Sequence, residues 1–198
     1  MHQLILASQS PRRFELLQKA GFRFTVDTVK VSEIIDKNLN LEAAIERVAW
    51  DKAQALVQAR KFLKGHGFLI LSADTVVALG EMVLGKPKDP TEAERFLRSL
   101  AGAEHRVITA ICVYEIDTDA VWTAHDTTWV QFHPLTDQQI HDYVRSGEPL
   151  DRAGAYAIQG GAATFVKARR GSWSNVVGLP MELFERMVKQ HGWQLARN

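Results

Sequence analysis

The stretch from Leu4 to Gly21 constrains the fold more than any other part of the chain. An apolar run, Leu4-Ile5-Leu6-Ala7, passes through Ser8-Gln9-Ser10-Pro11 straight into a helical pattern, Arg12 to Ala20, which Gly21 closes. Ser10 suits the N-cap, and Pro11 suits the first helical position, where its missing N–H has no partner anyway. A strand feeding a helix through a tight turn is the building unit of α/β domains. The same stretch holds a conflict. Arg12 and Arg13 fall in the first helical turn, where the macrodipole is already positive and a cation is disfavoured by up to roughly 1 kcal/mol. A phosphate at the helix start resolves it, because free amides, the dipole and two guanidinium forks would share one anion. The competing reading is a solvated arginine pair on a surface helix. Strand-to-helix turns are where α/β proteins hold phosphates, which favours the anion. On that reading, removing either arginine relieves the dipole conflict and leaves helix stability intact.

The rest of the chain alternates between helical and strand patterns. A strand is expected near Phe24–Val29 and a long amphipathic helix over Leu41–Phe62. Phe68–Ala73 reads as a short strand buried on both faces, followed by a hairpin of Thr75–Leu79 and Met82–Leu84 around Gly80-Glu81. Asp89-Pro90-Thr91-Glu92 has capping-box spacing and opens a helix ending at Gly102. Val107–Ile116 and Val121–Phe132 form a second hairpin across Asp117-Thr118-Asp119. Thr136 to Gln139 opens another capped helix, ended by Gly147. A strand pair, Thr164–Ala168 and Ser174–Val177, and a last helix from Pro180 complete the pattern. Helices interleave with strands and hairpins are present, so the expected class is α/β with a mixed sheet. With 198 residues, 46% of them hydrophobic, one domain spanning residues 1–198 is expected.

Three residues sit where local rules disfavour them. Lys52 lies in the middle of the apolar stripe Leu41, Ile45, Val48, Ala49 and Leu56, so it either snorkels outward or is held inward for an anion. Asp74, in Ser72-Ala73-Asp74-Thr75, is expected at the carboxyl end of a buried strand, where α/β sheets place their chemistry. An acid closing a turn is the alternative. Lys86, in Gly85-Lys86-Pro87-Lys88, adds a cation just after the hairpin, or is a solvated loop residue. Lys167, Arg169 and Arg170 surround a Gly-Ser turn and read as a solvated hairpin tip.

Several classes are disfavoured. Lys+Arg 24 against Asp+Glu 23 gives a net charge of +1, so no general basicity calls for nucleic acid or an anionic membrane. The seven histidines show no metal-ligand spacing, and the one cysteine, Cys112, lies in an apolar run. No apolar run approaches membrane-spanning length, and no signal peptide is seen. The expectation is a cytoplasmic protein with a small-molecule partner.

Taken in order, LASQSPRRFELL, SADTVV, LGKP, and DRAGAYAIQG followed by GSWSNVVGLP resemble the Maf family of nucleotide pyrophosphatases, from Leu6 to about Leu183. The Ala-Tyr-Ala-Ile-Gln-Gly form of the fourth block is similar to the branch acting on dTTP and UTP. The resemblance implies an inosine-triphosphatase-like α/β fold, with an elongated mixed β-sheet flanked by helices and two lobes with a central cleft. It implies cleavage between the α- and β-phosphates to a nucleoside monophosphate and pyrophosphate, aided by a divalent cation, Mg²⁺ or Mn²⁺. By motif, Asp74 takes the place of the proton acceptor and Glu33 that of the second acid. Ser8, Arg12, Arg13, Lys52 and Lys86 fall at phosphate-contacting positions, and Arg12, Thr75 and Gln159 at positions tied to substrate choice. From the resemblance alone, a homodimer is compatible.

Elementary chemistry agrees with these assignments. A triphosphate needs its charge neutralised, which Arg12, Arg13, Lys52, Lys86 and a metal could do. Water needs activating, by Asp74 as general base or by a metal held by Asp74 and Glu33. Two other classes compete. A regulator that binds nucleotides without hydrolysing them gains nothing from carboxylates near phosphates unless a metal bridges them. A nucleic-acid module would need a basic stripe interleaved with aromatics, which the chain lacks.

Overall fold

The computed structural model describes residues 1–36 and 38–197. Seven strands form one mixed sheet in the order β2-β1-β3-β5-β6-β7, with β4 paired to β3. By contact density the chain divides into two units. The first comprises Met1–Asp74, Thr109–Asp126 and Gly178–Asn198; the second comprises Thr75–Ile108 and Thr127–Val177.

The first unit grows from the strand–turn–helix stretch. β1 (Gln3–Leu6) pairs in parallel with β2 (Phe24–Val26) on one side and with β3 (Phe68–Leu79) on the other, Ile5 lying opposite both Thr25 and Ile70. Leu4, Ile5, Leu6, Leu69, Ile70 and Leu71 are all buried, as expected for parallel strands covered on both faces. α1 (Pro11–Lys19) follows β1 and buries Leu16 and Leu17. α2 (Leu41–Ala59) starts at Asn40, whose side chain accepts the Ala43 N–H at 2.8 Å, and buries Ile45, Val48, Ala49 and Leu56. It ends three residues before Phe62, where the chain tightens into a 3₁₀ turn, Lys61–Leu63. There Arg60 turns out of the helix (φ −126°) and its guanidinium grips the Asp27 carboxylate through two hydrogen bonds, of 2.7 and 3.0 Å.

The second unit starts where β3 continues from Thr75 into the hairpin with β4 (Met82–Leu84). α3 (Pro90–Leu100) is capped by Asp89, which accepts the Glu92 N–H at 2.8 Å. The long strands β5 (Glu104–Glu115) and β6 (Ala120–Phe132) each contribute residues to both units. α4 (Asp137–Arg145) begins with the full capping box foreseen at Thr136 and Gln139. β7 (Val166–Arg170) pairs antiparallel with β6. The core of this unit joins Phe96, Leu97, Phe132, Tyr143, Tyr156 and Phe165. α6 (Met181–Gln190) returns to the first unit, where Phe184 meets Phe22 at 5.3 Å.

Three expectations are corrected. The strand after β1 and α1 stops at Val26 rather than Val29, one residue before Asp27 turns to Arg60. Ser174–Val177 is not a strand but most of the short helix α5 (Trp173–Val177). Its β-branched residues are overridden by side-chain bonds: Ser172 Oγ accepts the Asn175 N–H, and Asn175 Nδ2 donates to Val107 O at 2.9 Å and to Thr128 Oγ1 at 3.0 Å. Consequently Lys167, Arg169 and Arg170 are exposed, but on an edge strand rather than at a hairpin tip. Finally, β3 does not stop at Ala73; it runs unbroken for 12 residues.

Candidate functional site

β3 shows why the sequence reading misplaced the strand end. A polar Ser72-Ala73-Asp74-Thr75 segment looks like a terminus, yet its polar groups are satisfied inside the fold. Side chains two apart on a strand share a face, and those three apart on a helix do too. Ser72 and Asp74 therefore meet Ala49 and Lys52 of α2. Ser72 Oγ donates to Ala49 O at 2.6 Å, and Lys52 Nζ donates to Asp74 Oδ1 at 2.7 Å. The parallel pairing with β1 does end here, with Ala7 N donating to Leu71 O at 2.8 Å. Asp74 thus lies beyond the carboxyl end of β1, though in the middle of its own strand.

Lys52 does not snorkel. Its side chain is 14% exposed, and its ammonium bridges two carboxylates, Asp74 Oδ1 at 2.7 Å and Glu33 Oε1 at 2.8 Å. It also reaches Ala73 O at 3.4 Å. Asp74 is 12% exposed at its side chain, whereas Glu33, in the segment between β2 and α2, is 56% exposed. A buried carboxylate and an open one are held by one cation.

At the start of α1, Ser10 occupies the N-cap but its side chain makes no capping bond. Instead Ser8 Oγ organises the turn, accepting the Ser10 N–H at 3.2 Å and an Arg13 Nη1–H at 3.0 Å. Arg13 Nε donates to Gly178 O at 2.7 Å. Burial lowers the Arg13 pKa; the charges of Asp74 and Glu33 oppose that shift, and Arg12 reinforces it. Arg12 is half-buried beside it. The first unit therefore brings together Ser8, Arg12, Arg13, Glu33, Lys52 and Asp74, with both acids close enough to act on Arg13. Arg13 is built into the turn by protein oxygens.

The second unit carries Thr75, Lys86 and Gln159. Thr75 is half-buried and points to the opposite face of β3 from Asp74. Lys86 is exposed and pairs with Asp151 Oδ1 at 2.7 Å. Three residues after Asp151, Gly154, at φ +67°, ties the same segment to this loop, its N–H donating to Gly85 O at 3.0 Å. A Cβ on Gly154 would lie 2.7 Å from Val77 Cγ2, so only glycine fits. Gln159 is exposed, third in a four-residue turn closed by Gly160 N–H to Ala157 O at 3.1 Å.

A family model described as Maf-like protein matches residues 3–191. This chain belongs to the Maf family. Among curated members, a dTTP/UTP pyrophosphatase of Bdellovibrio bacteriovorus is 45% identical over 187 residues, covering 94% of this chain and 97% of the relative. A dTTP/UTP pyrophosphatase of Geobacillus sp. is 42% identical over 193 residues, covering 98% and 100%. One of Symbiobacterium thermophilum is 42% identical over 195 residues, covering 98% and 97%.

In this Maf-family chain, sequence reasoning missed Gly178 as a partner of Arg13 and Asp151 as a partner of Lys86. Gly178 acts through its backbone carbonyl, which no side-chain pattern reveals. Asp151 had a signal, since it opens the DRAGAYAIQG block.

The donor set bears on a divalent cation. Two hard carboxylates already converge on one positive charge, the Lys52 ammonium. Among the described residues no group of three or more His, Cys, Asp or Glu could hold a metal. Asp74 and Glu33 are hard oxygen donors, the type that Mg²⁺ and Mn²⁺ take, alongside phosphate oxygens and water.

Proposed function

We propose that this chain hydrolyses dTTP and UTP between the α- and β-phosphates, releasing the nucleoside monophosphate and pyrophosphate. The observation that carries the reading is Lys52 clasped between Glu33 and Asp74 beside the arginine-bearing start of α1. It is supported by near-full-length relatives named for that activity.

The start of α1 receives phosphate through its first-turn amides and Arg12, with Ser8 and Arg13 shaping the turn. Lys52 orients Asp74 through Oδ1, and the other carboxylate oxygen accepts a proton from the attacking water. Lys52 and Lys86 offset the charge that develops on the departing pyrophosphate. Asp74 and Glu33 would hold a divalent cation, which when bound neutralises phosphate charge and makes water easier to deprotonate. No helix among the described residues is long and apolar enough to cross a membrane. A cytoplasmic location suits a substrate drawn from the free nucleotide pool.

Base choice is assigned to Gln159. Uracil and thymine present O4 as acceptor and N3–H as donor, and a glutamine amide offers one donor and one acceptor, so it pairs with both. Cytosine reverses both groups. A glutamate is acceptor-only when ionised, which suits the N1–H and N2–H₂ donors of guanine. Measuring kcat/KM for UTP, dTTP, CTP and 7-methyl-GTP tests this. Gln159→Glu is expected to lower the UTP and dTTP values about tenfold or more, with much less loss for the guanine nucleotide. An unchanged ranking places base recognition elsewhere.

A further inference from the structure

The turn that carries Gln159 is held from both sides by residues outside the motif. Ala157 N–H donates to Tyr143 Oη at 3.0 Å, and Gly161 N–H donates to Glu148 Oε2 at 2.9 Å. Those two amides lie immediately outside Ile158-Gln159-Gly160, so both anchors of the turn are side chains of one short stretch, α4 and the residues after it. The stretch is itself ordered. Ser146 Oγ donates to Tyr143 O at 2.6 Å and accepts the Glu148 N–H at 3.2 Å.

The glycines make room for the anchors. A Cβ on Gly160 would lie 1.8 Å from Glu148 Oε1, and one on Gly161 would lie 3.1 Å from the Tyr143 ring. Gly160 has an ordinary negative φ of −114°, so no backbone strain requires glycine there. A side chain there would displace the Glu148 carboxylate from its place beside the turn. The Tyr143 ring is fixed in turn by Phe165, edge-on at 5.2 Å.

We propose that Glu148 and Tyr143 are positioning residues for base selection: they clamp the 157–161 turn so that the Gln159 amide presents one orientation. The proposal rests on the assignment of Gln159 as the base reader. A hydrogen-bonding reader discriminates only when its amide is fixed, because a free one rotates to suit cytosine as well as uracil. Releasing the turn would leave catalysis of a bound nucleotide largely in place and reduce the preference for uracil.

The test is the ratio of kcat/KM for UTP to that for CTP in the wild type, Gln159→Ala, Glu148→Ala, Glu148→Gln, Tyr143→Phe and the double variant Gln159→Ala/Glu148→Ala. Glu148→Ala is expected to lower the ratio by about tenfold, near the value of Gln159→Ala, since both forfeit the same discrimination. Glu148→Gln keeps an acceptor for the Gly161 amide and retains most of the ratio. The double variant falls no further than Gln159→Ala, as expected for residues acting through one another. Tyr143→Phe keeps the buried ring, loses the hydroxyl that accepts the Ala157 N–H and bonds the Glu148 side chain, and lowers the ratio in the same direction. It provides an independent reading should Glu148→Ala fold poorly. If Gln159→Ala lowers the ratio while Glu148→Ala and Tyr143→Phe keep it, the clamp is overturned and Gln159 stands as the reader. If Gln159→Ala keeps the wild-type ratio, the assignment of Gln159 fails and the clamp with it. Additive losses in the double variant also overturn the proposal, because Glu148 would then act on the base by another route.

Discussion

Arg12 and Arg13 share one unfavourable place on the helix, but the structure separates their roles. The sequence argument treats them as a pair waiting for a phosphate, so that losing either should relieve the dipole. Arg13 contradicts this, because its guanidinium donates to Gly178 O and Ser8 Oγ. Arg13→Ala leaves a half-buried carbonyl without its charged donor and loosens the turn. We expect it to destabilise the protein by about 1–3 kcal/mol, the range for unpairing a buried polar group. Thermal melts without nucleotide check this, and an unchanged Tm would show that the Gly178 contact contributes nothing. Arg12→Ala is expected to raise KM for UTP several-fold with a smaller effect on stability, as loss of a charge-assisted phosphate contact requires. Residue identities were thus readable, and so were the inward lysine and the two acids as candidates. The partner of Arg13 was not, because a backbone carbonyl 165 residues away leaves no trace in composition or spacing.

At the scale of elements, capping chemistry was the most legible signal. Asp89 and Thr136 cap α3 and α4 where their spacing predicts. The misreadings came where tertiary partners outweighed local pattern. Asp74 looked like a strand end because an acid rarely continues a buried strand, and Lys52, arriving from α2, pairs with it there. Asn175 converts a strand-like Ser174–Val177 into a helical turn through two buried hydrogen bonds. A further consequence concerns β5. His105 is 1% exposed, bonded through Nε2 to Tyr156 Oη at 2.9 Å, while its Nδ1 has no hydrogen-bond partner among the described residues. Burial pushes its pKa down from 6.5 to about 4. The unfolded chain then binds the proton more readily than the folded one. Stability present at pH 7 is lost as the pH falls from about 6.5 to about 4, on the order of 3 kcal/mol at 1.36 kcal/mol per unit. Urea denaturation at pH 7, 5.5 and 4.5 should show this decline, with a shallower slope in His105→Gln. Equal slopes for the two proteins would remove His105 as the cause.

At the scale of the whole molecule, α/β class and mixed sheet follow from interleaved helices, strands and hairpins, and the structure has them. Two lobes are implied by the family resemblance but not by apolar patterning, because β3, β5 and β6 each contribute residues to both units. Lys52 bridges both site acids in the protein's own fold and so gives each a counter-charge. Removing divalent cations with EDTA is therefore expected to abolish turnover and leave Tm unchanged. A Tm lowered by chelation would mean that the metal, rather than Lys52, holds Asp74 and Glu33 in place.

The central claim is that Asp74, oriented by Lys52, activates water for attack that separates the α- and β-phosphates. The most direct measurement is product analysis of UTP incubated with Mg²⁺ and either the wild type or Asp74→Asn. The account predicts equal amounts of UMP and pyrophosphate from the wild type, and a rate about 10²–10⁴-fold lower for Asp74→Asn with an unchanged circular dichroism spectrum. UDP with orthophosphate as products, or near-wild-type turnover by Asp74→Asn, would contradict it.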